Sequence, residues 1–148
     1  MDKRFELGFG PHLTLDLYDC NKDKLGDLRF IYDLLDNLPE MIGMHKIAPP
    51  HVTYYKGTEG SFDKGGVSGF VLIAESHIAM HSFIEQGHIF VDIFSCKEFN
   101  INFAEKHLIE IFEARRVDKN LFDRGVEFPK EVTIVAGYIR KERKGIKN

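Results

Sequence analysis

The chain has 148 residues, 43% hydrophobic and 29% charged, which predicts one globular domain whose core needs no disulfide or metal staple. Its 20 basic and 23 acidic residues leave a net charge of −3, so no basic surface points to nucleic acid, and the tail "RKERKGIKN" reads as a solvated end. Two cysteines exclude a disulfide scaffold. No metal-site spacing, no leader and no apolar run of membrane-spanning length is found, so a cytosolic, reduced protein with no metal and no membrane contact is expected.

In "HLTLDLYDC" (12–20), Leu13, Leu15 and Leu17 alternate with polar residues, the period of a half-buried strand. From Asp23, Leu25, Leu28, Ile31, Leu35 and Leu38 take helical spacing; Asn21 or Asp23 can cap this helix, and Pro39 should end or kink it. "IAPPHVTYYKG" (47–57) predicts a turn and a short strand, and "TEGSFDKGG" (58–66) a surface loop. Residues 67–74 form an apolar strand, followed by strands at 76–83 and 88–96. The short link "IEQG" (84–87) pairs those two as a hairpin. A second helix spans 101–115, with Ile101, Ala104, Leu108 and Ile111 on one face. Asn102 with Glu105 resembles a capping box there, and Asn100 competes for the cap. "EVTIVAGYI" (131–139) predicts a last strand.

Strands outnumber helices and tight turns join several of them, which predicts an α+β domain with a mainly antiparallel sheet and two helices on one face. Phe70, Val71, Leu72, Ile73 and Ala74 are apolar at every position, so both faces of their strand should be covered. A second subunit is the economical cover for the helix-free face.

The chemistry gathers in residues 65–96, where Glu75-Ser76-His77 follows an apolar run. Polar groups buried there need partners or a chemical purpose. If the hairpin turns about Glu85-Gln86, paired residues sum to roughly 171, which sets Cys96 opposite residue 75. His81 lies an odd number of residues after Ser76, so the two share one site only if a bulge or irregular start interrupts the strand near Ser76. A serine or cysteine hydrolase is one reading, but the chain has no G-x-S-x-G elbow and no clear group to orient the histidine. A self-processing serine is another. Its hydroxyl would attack the preceding carbonyl to give an ester, and elimination with hydrolysis would leave a pyruvoyl group. That ketone can form a Schiff base with an amine and accept the electrons released by decarboxylation. Taken singly, Ser76, Ser68, His81 and Cys96 are ordinary strand and turn residues.

Together, "GVSG", "AESHIAMH", "EQG" and "VDIFSC" run without insertion across 66–96. This constellation resembles the S-adenosylmethionine decarboxylase family of the bacterial and archaeal type, and "GPHLTLDLYDC" and "RGVEFP" (124–129) extend the resemblance. The resemblance implies a two-layer α/β sandwich, a homodimer, and a proenzyme that cuts itself between Glu75 and Ser76. Residues 1–75 would become the β chain, and 76–148 the α chain headed by the pyruvoyl cofactor. By the same resemblance Ser68 and His81 are processing residues, with His81 the proton acceptor, and Cys96 is the proton donor after carbon dioxide leaves. Phe62 and Phe83 would sandwich the adenine, and Glu85 would bind the ribose hydroxyls of S-adenosylmethionine, whose decarboxylated product supplies aminopropyl groups for spermidine. The chain departs from the family's usual Thr-Trp-Pro-Glu at Ser82-Phe83-Ile84-Glu85, and carries Pro11 where arginine is common. Arginine or ornithine decarboxylation on the same fold, and an uncleaved regulatory subunit, are the alternatives.

Overall fold

Leu13, Leu15 and Leu17 are fully buried while His12, Thr14 and Asp16 are not, so the alternation read from the sequence marks the core face of a strand. The computed structural model describes residues 9–125. In chain order the elements are β1 (Gly10–Tyr18), α1 (Lys22–Leu25), α2 (Leu28–Met41), β2 (His51–Tyr55), β3 (Gly66–Ile73), β4 (Ser76–Phe83), β5 (His88–Ser95), α3 (Ile101–Phe112) and β6 (Arg116–Arg124). The strands form one antiparallel sheet in the order β2-β3-β4-β5-β1-β6. The architecture is α+β, as expected.

The helix expected from Asp23 onward is two helices. Asn21 accepts hydrogen bonds from the Asp23 and Lys24 N–H groups and starts α1; Asp27 accepts from Phe30 N–H and starts α2. Two cap signals six residues apart outweigh one continuous apolar stripe. Pro39 lies in the last turn of α2, which ends two residues later. Asn100 is the N-cap of α3, its side chain accepting from Phe103 N–H, and Glu113 in the left-handed region closes that helix earlier than expected.

α2 buries Ile31, Leu34, Leu35 and Leu38, and α3 buries Ala104, Leu108 and Phe112. Both join one core with the inward residues of the sheet, among them Val71, Ile73, Ile78, Met80, Val91 and Ile93. The opposite sheet face carries no helix among the described residues. Phe70 and Leu72 are each 44% exposed there and Phe122 is 51% exposed.

β6 was not anticipated from the sequence. It is exposed along nearly its whole length, so it shows no core-facing period, and nine residue pairs with β1 hold it. The strand expected at 131–139, and "RGVEFP" beyond Gly125, lie outside the described residues. None of the described helices is long and apolar enough to cross a membrane.

Candidate active site

Only Ala74 and Glu75 link β3 to β4. Hairpin links this short favour positive φ at residues such as Gly, Asn or Asp. Neither linking residue is of that kind, and the positive φ falls on Ser76, at 154°. A serine held there stores strain of order 1–3 kcal/mol. Ser76 also begins a strand that runs unbroken to Phe83.

The peptide before Ser76 is gripped from several sides. The Glu75 carbonyl accepts the Cys96 N–H at 2.8 Å, continuing the β4–β5 register by one pair. Glu75 is only 8% exposed. Its carboxylate accepts the His45 backbone N–H at 3.1 Å and the His45 ring Nδ1–H at 2.7 Å. Residues 45–47 lie alongside the end of β3, with Ala74 N–H donating to the His45 carbonyl and Ile47 N–H to that of Leu72. Burial alone would raise the Glu75 pKa, but the hydrogen bonds from His45 prevail and hold it below the ordinary glutamate value.

Ser68 and His81 face each other across β3 and β4, Oγ to Nδ1 2.9 Å apart. The glycines around Ser68 permit this placement by close packing. A Cβ on Gly66 would stand 1.7 Å from the Ser82 carbonyl oxygen, and one on Gly69 would stand 2.8 Å from Leu35 Cδ1. Ser82 ties the same region down, its hydroxyl donating to the Leu25 carbonyl and accepting Val67 N–H.

Cys96 is exposed just beyond β5, whereas Cys20 is buried and its thiol is pushed up to about 11, first by burial and then by Asp19. Cys20 is therefore inert at neutral pH, and Cys96 is the accessible thiol.

Phe62, Phe83 and Glu85 gather at the other end of β4. Phe83 packs on the Phe90 ring, Glu85 is exposed in the β4–β5 turn, and Phe62 is 81% exposed on a loop whose carbonyl accepts Gln86 Nε2–H. Along a strand rising ~3.3 Å per residue, Phe83 lies about 23 Å from Ser76 and His81 about 17 Å from it. β4 pairs without a bulge but starts irregularly, with the positive φ at Ser76, and His81 points to the open face five residues from it. One chain thus divides the constellation: Glu75, Ser76 and Cys96 at one end of β4, Ser68 and His81 part-way along it, and the aromatic and ribose-binding candidates at the far end. Among the described residues no group of three or more His, Cys, Asp or Glu side chains could hold a metal ion.

A family model described as S-adenosylmethionine decarboxylase matches residues 11–125. The chain belongs to the S-adenosylmethionine decarboxylase family. It is 31% identical over 118 residues to the S-adenosylmethionine decarboxylase proenzyme of Aquifex aeolicus (strain VF5), covering 79% of this chain and 82% of that one. With the proenzyme of Bacillus cytotoxicus it shares 32% identity over 117 residues, 78% of this chain and 84% of the relative. The crystal structure of the adenosylmethionine decarboxylase from Aquifex aeolicus superimposes with a TM-score of 0.63 at 29% identity, covering 80% of this chain and 92% of that chain.

His45 escaped the sequence reading because thirty residues separate it from Glu75 and no spacing rule joins them. Within this decarboxylase fold it makes a testable contribution. His45→Ala should cost about 1–3 kcal/mol in urea unfolding at neutral pH, the penalty for a buried carboxylate that loses a partner. A depressed glutamate pKa stabilises the fold above its unfolded value and ceases to do so as the pH falls through the folded one. Wild type should therefore lose stability as the pH drops below 4.5, the ordinary glutamate value, and His45→Ala should lose less over that range. Equal acid sensitivity in the two proteins would refute this account of Glu75.

Proposed function

We propose that the chain is a self-cleaving S-adenosylmethionine decarboxylase, cut between Glu75 and Ser76 into residues 1–75 and 76–148, which stay together as one folded unit. The observation that carries the reading is the strained φ at Ser76, directly after a peptide whose carbonyl is polarised by Cys96 N–H and whose side chain is clamped by His45. An N-terminal pyruvoyl group fits this position, because Ser76 supplies the hydroxyl from which it forms and the Glu75 carbonyl before it accepts the Cys96 N–H. Once formed, it supplies a ketone that binds the substrate amine and accepts the electron pair left by carbon dioxide. Cys96, exposed beside this position, is assigned the return of a proton to the substrate carbon. Ser68 and His81 are assigned to processing.

The divided constellation supports a homodimer. If two open faces stack about 10 Å apart, with the two-fold axis between the sheets and crossing β4, the strands run antiparallel over one another. The Ser76 end of one β4 then lies over the partner's His81 and Phe83. Phe70 and Leu72 become covered in the same step, and Phe62, Phe83 and Glu85 become the adenosine-binding half of a site completed by the partner. Phe62 and Phe83 offer flat faces to a base. Glu85 is a charged acceptor for two hydroxyls.

The test offers S-adenosylmethionine, arginine and ornithine to the cleaved protein and measures released carbon dioxide. Release from S-adenosylmethionine alone is expected. Glu85→Ala should weaken its binding by a few kcal/mol at most while leaving self-cleavage intact. Release from arginine or ornithine without release from S-adenosylmethionine would refute the substrate assignment.

A further inference from the structure

Neighbouring side chains on a strand point to opposite faces, so Ser76 and His77 should not touch. They do: Ser76 Oγ lies 3.2 Å from His77 Nδ1. The positive φ at Ser76 is what turns the hydroxyl toward the open face where the imidazole lies. The strain thus has a geometric product, a nucleophile in hydrogen-bond contact with a base.

The surroundings favour the unprotonated form of that base. His77 is half-buried, facing Leu72 of β3 and Phe94 of β5, its ring 5.8 Å from the Phe94 ring and 6.3 Å from that of His12 on β1. Its pKa is lowered, first by burial and then by His12; Asp92 on β5 opposes this and Arg124 on β6 adds to it. His12 is itself fixed by two partners. Its Nε2 lies 3.1 Å from Asp92 Oδ1, and its Nδ1 faces the Arg124 guanidinium at 3.4 Å.

We propose that His77 is the proton acceptor of the first step of self-cleavage, a catalytic role distinct from that assigned to His81. This rests on the reading that the chain cuts itself at Glu75–Ser76. His77 Nδ1 takes the hydroxyl proton as Oγ bonds to the Glu75 carbonyl carbon, and the Cys96 N–H holds the oxygen that becomes negative. The Glu75–Ser76 C–N bond then breaks, and the imidazolium returns its proton to the departing Ser76 nitrogen. The product is an ester with a free amine, reached with no oxidant, reductant or external co-reactant. The later loss of the Ser76 Cα proton is a separate event, 17 Å from His81 in one chain by the ~3.3 Å rise per residue.

The test follows wild type, His77→Asn, His77→Gly and His81→Ala from pulse-labelled cell-free synthesis, reading intact and cleaved mass over time. Asparagine keeps a polar atom near Nδ1 but cannot take a proton. His77→Asn should cleave at least ~100-fold more slowly than wild type, and hydroxylamine, which cuts esters, should release no fragments from it. His81→Ala should stall as an ester that hydroxylamine does cut. Added imidazole should speed His77→Gly, a rescue that a purely structural role would not permit. The wild-type rate should fall as the pH drops through a value below the ordinary histidine range, and the residual His77→Asn rate should not follow it. Cleavage of His77→Asn at the wild-type rate, ester accumulation in it, or failure of imidazole to rescue His77→Gly overturns the proposal while self-cleavage stands. A wild-type chain that stays whole overturns the self-cleavage reading, and the proposal with it.

Discussion

Ser76→Ala should remain a single 148-residue chain, while wild type resolves into residues 1–75 and 76–148, the second fragment blocked to N-terminal sequencing. Alanine removes the only atom of residue 76 that can attack the Glu75 carbonyl, so the effect is all-or-none. The same position offers a measurement of the strain. Glycine in a strand interior ordinarily costs 0.5–1 kcal/mol relative to alanine, because it loses more backbone freedom. At φ 154° the order should reverse, since glycine adopts that conformation freely and alanine does not. Ser76→Gly and Ser76→Ala are both uncleavable, so their urea unfolding curves compare intact chains. Ser76→Gly should be the more stable by about 1 kcal/mol. If alanine is the more stable of the two, the backbone at the cleavage site is relaxed and strain has no part in the chemistry. Cleavage of Ser76→Ala would remove Ser76 from the mechanism altogether.

What the sequence disclosed and what it hid follow from the same physics. The β4–β5 register was legible to within a residue or two: the short link constrained the turn, pairs sum to 171 in the observed ladder, and Cys96 does lie opposite residue 75. Core strands were legible because one face is buried and alternation records that. β6 was not, because a strand at the edge of the sheet among the described residues is specified by backbone pairing with β1, and that pairing leaves no hydrophobic period. The break between α1 and α2 was visible only in the side chains of Asn21 and Asp27, whose capping outweighs the continuous leucine spacing. At the candidate site, the tight turn at Ala74-Glu75 carries no glycine or asparagine to announce it. Its consequence, a strained Ser76 in contact with His77, could not be read from alternation, which places the two on opposite faces. The Glu75-Ser76-His77 triplet itself was the signal, but its geometry depends on one backbone angle.

Mixing two inactive variants should restore self-cleavage. Ser76→Ala retains Ser68 and His81 but has no nucleophile; His81→Ala retains the nucleophile but not the histidine. Within one chain His81 lies about 17 Å along an unbroken strand from Ser76, so no local adjustment joins them. In a dimer stacked through the open faces, the Ser76 of a His81→Ala chain meets the intact histidine of a Ser76→Ala partner. Hybrids formed by co-expression should therefore complete cleavage of the His81→Ala chain only, while either variant alone yields no pyruvoyl fragment. Phe70→Asp and Leu72→Asp offer a control on the same surface. A charge at a face that is 44% exposed in one chain costs little until that face is covered, and then costs several kcal/mol if left unpaired. Each should shift the protein toward monomer in sedimentation and abolish complementation, with its monomer still folded. Complementation that survives in a monomeric variant would refute the shared site. A wild-type chain that sediments as a monomer and cleaves at a rate independent of concentration would require Ser76 to be processed by the groups of its own chain, with His77 the histidine within reach.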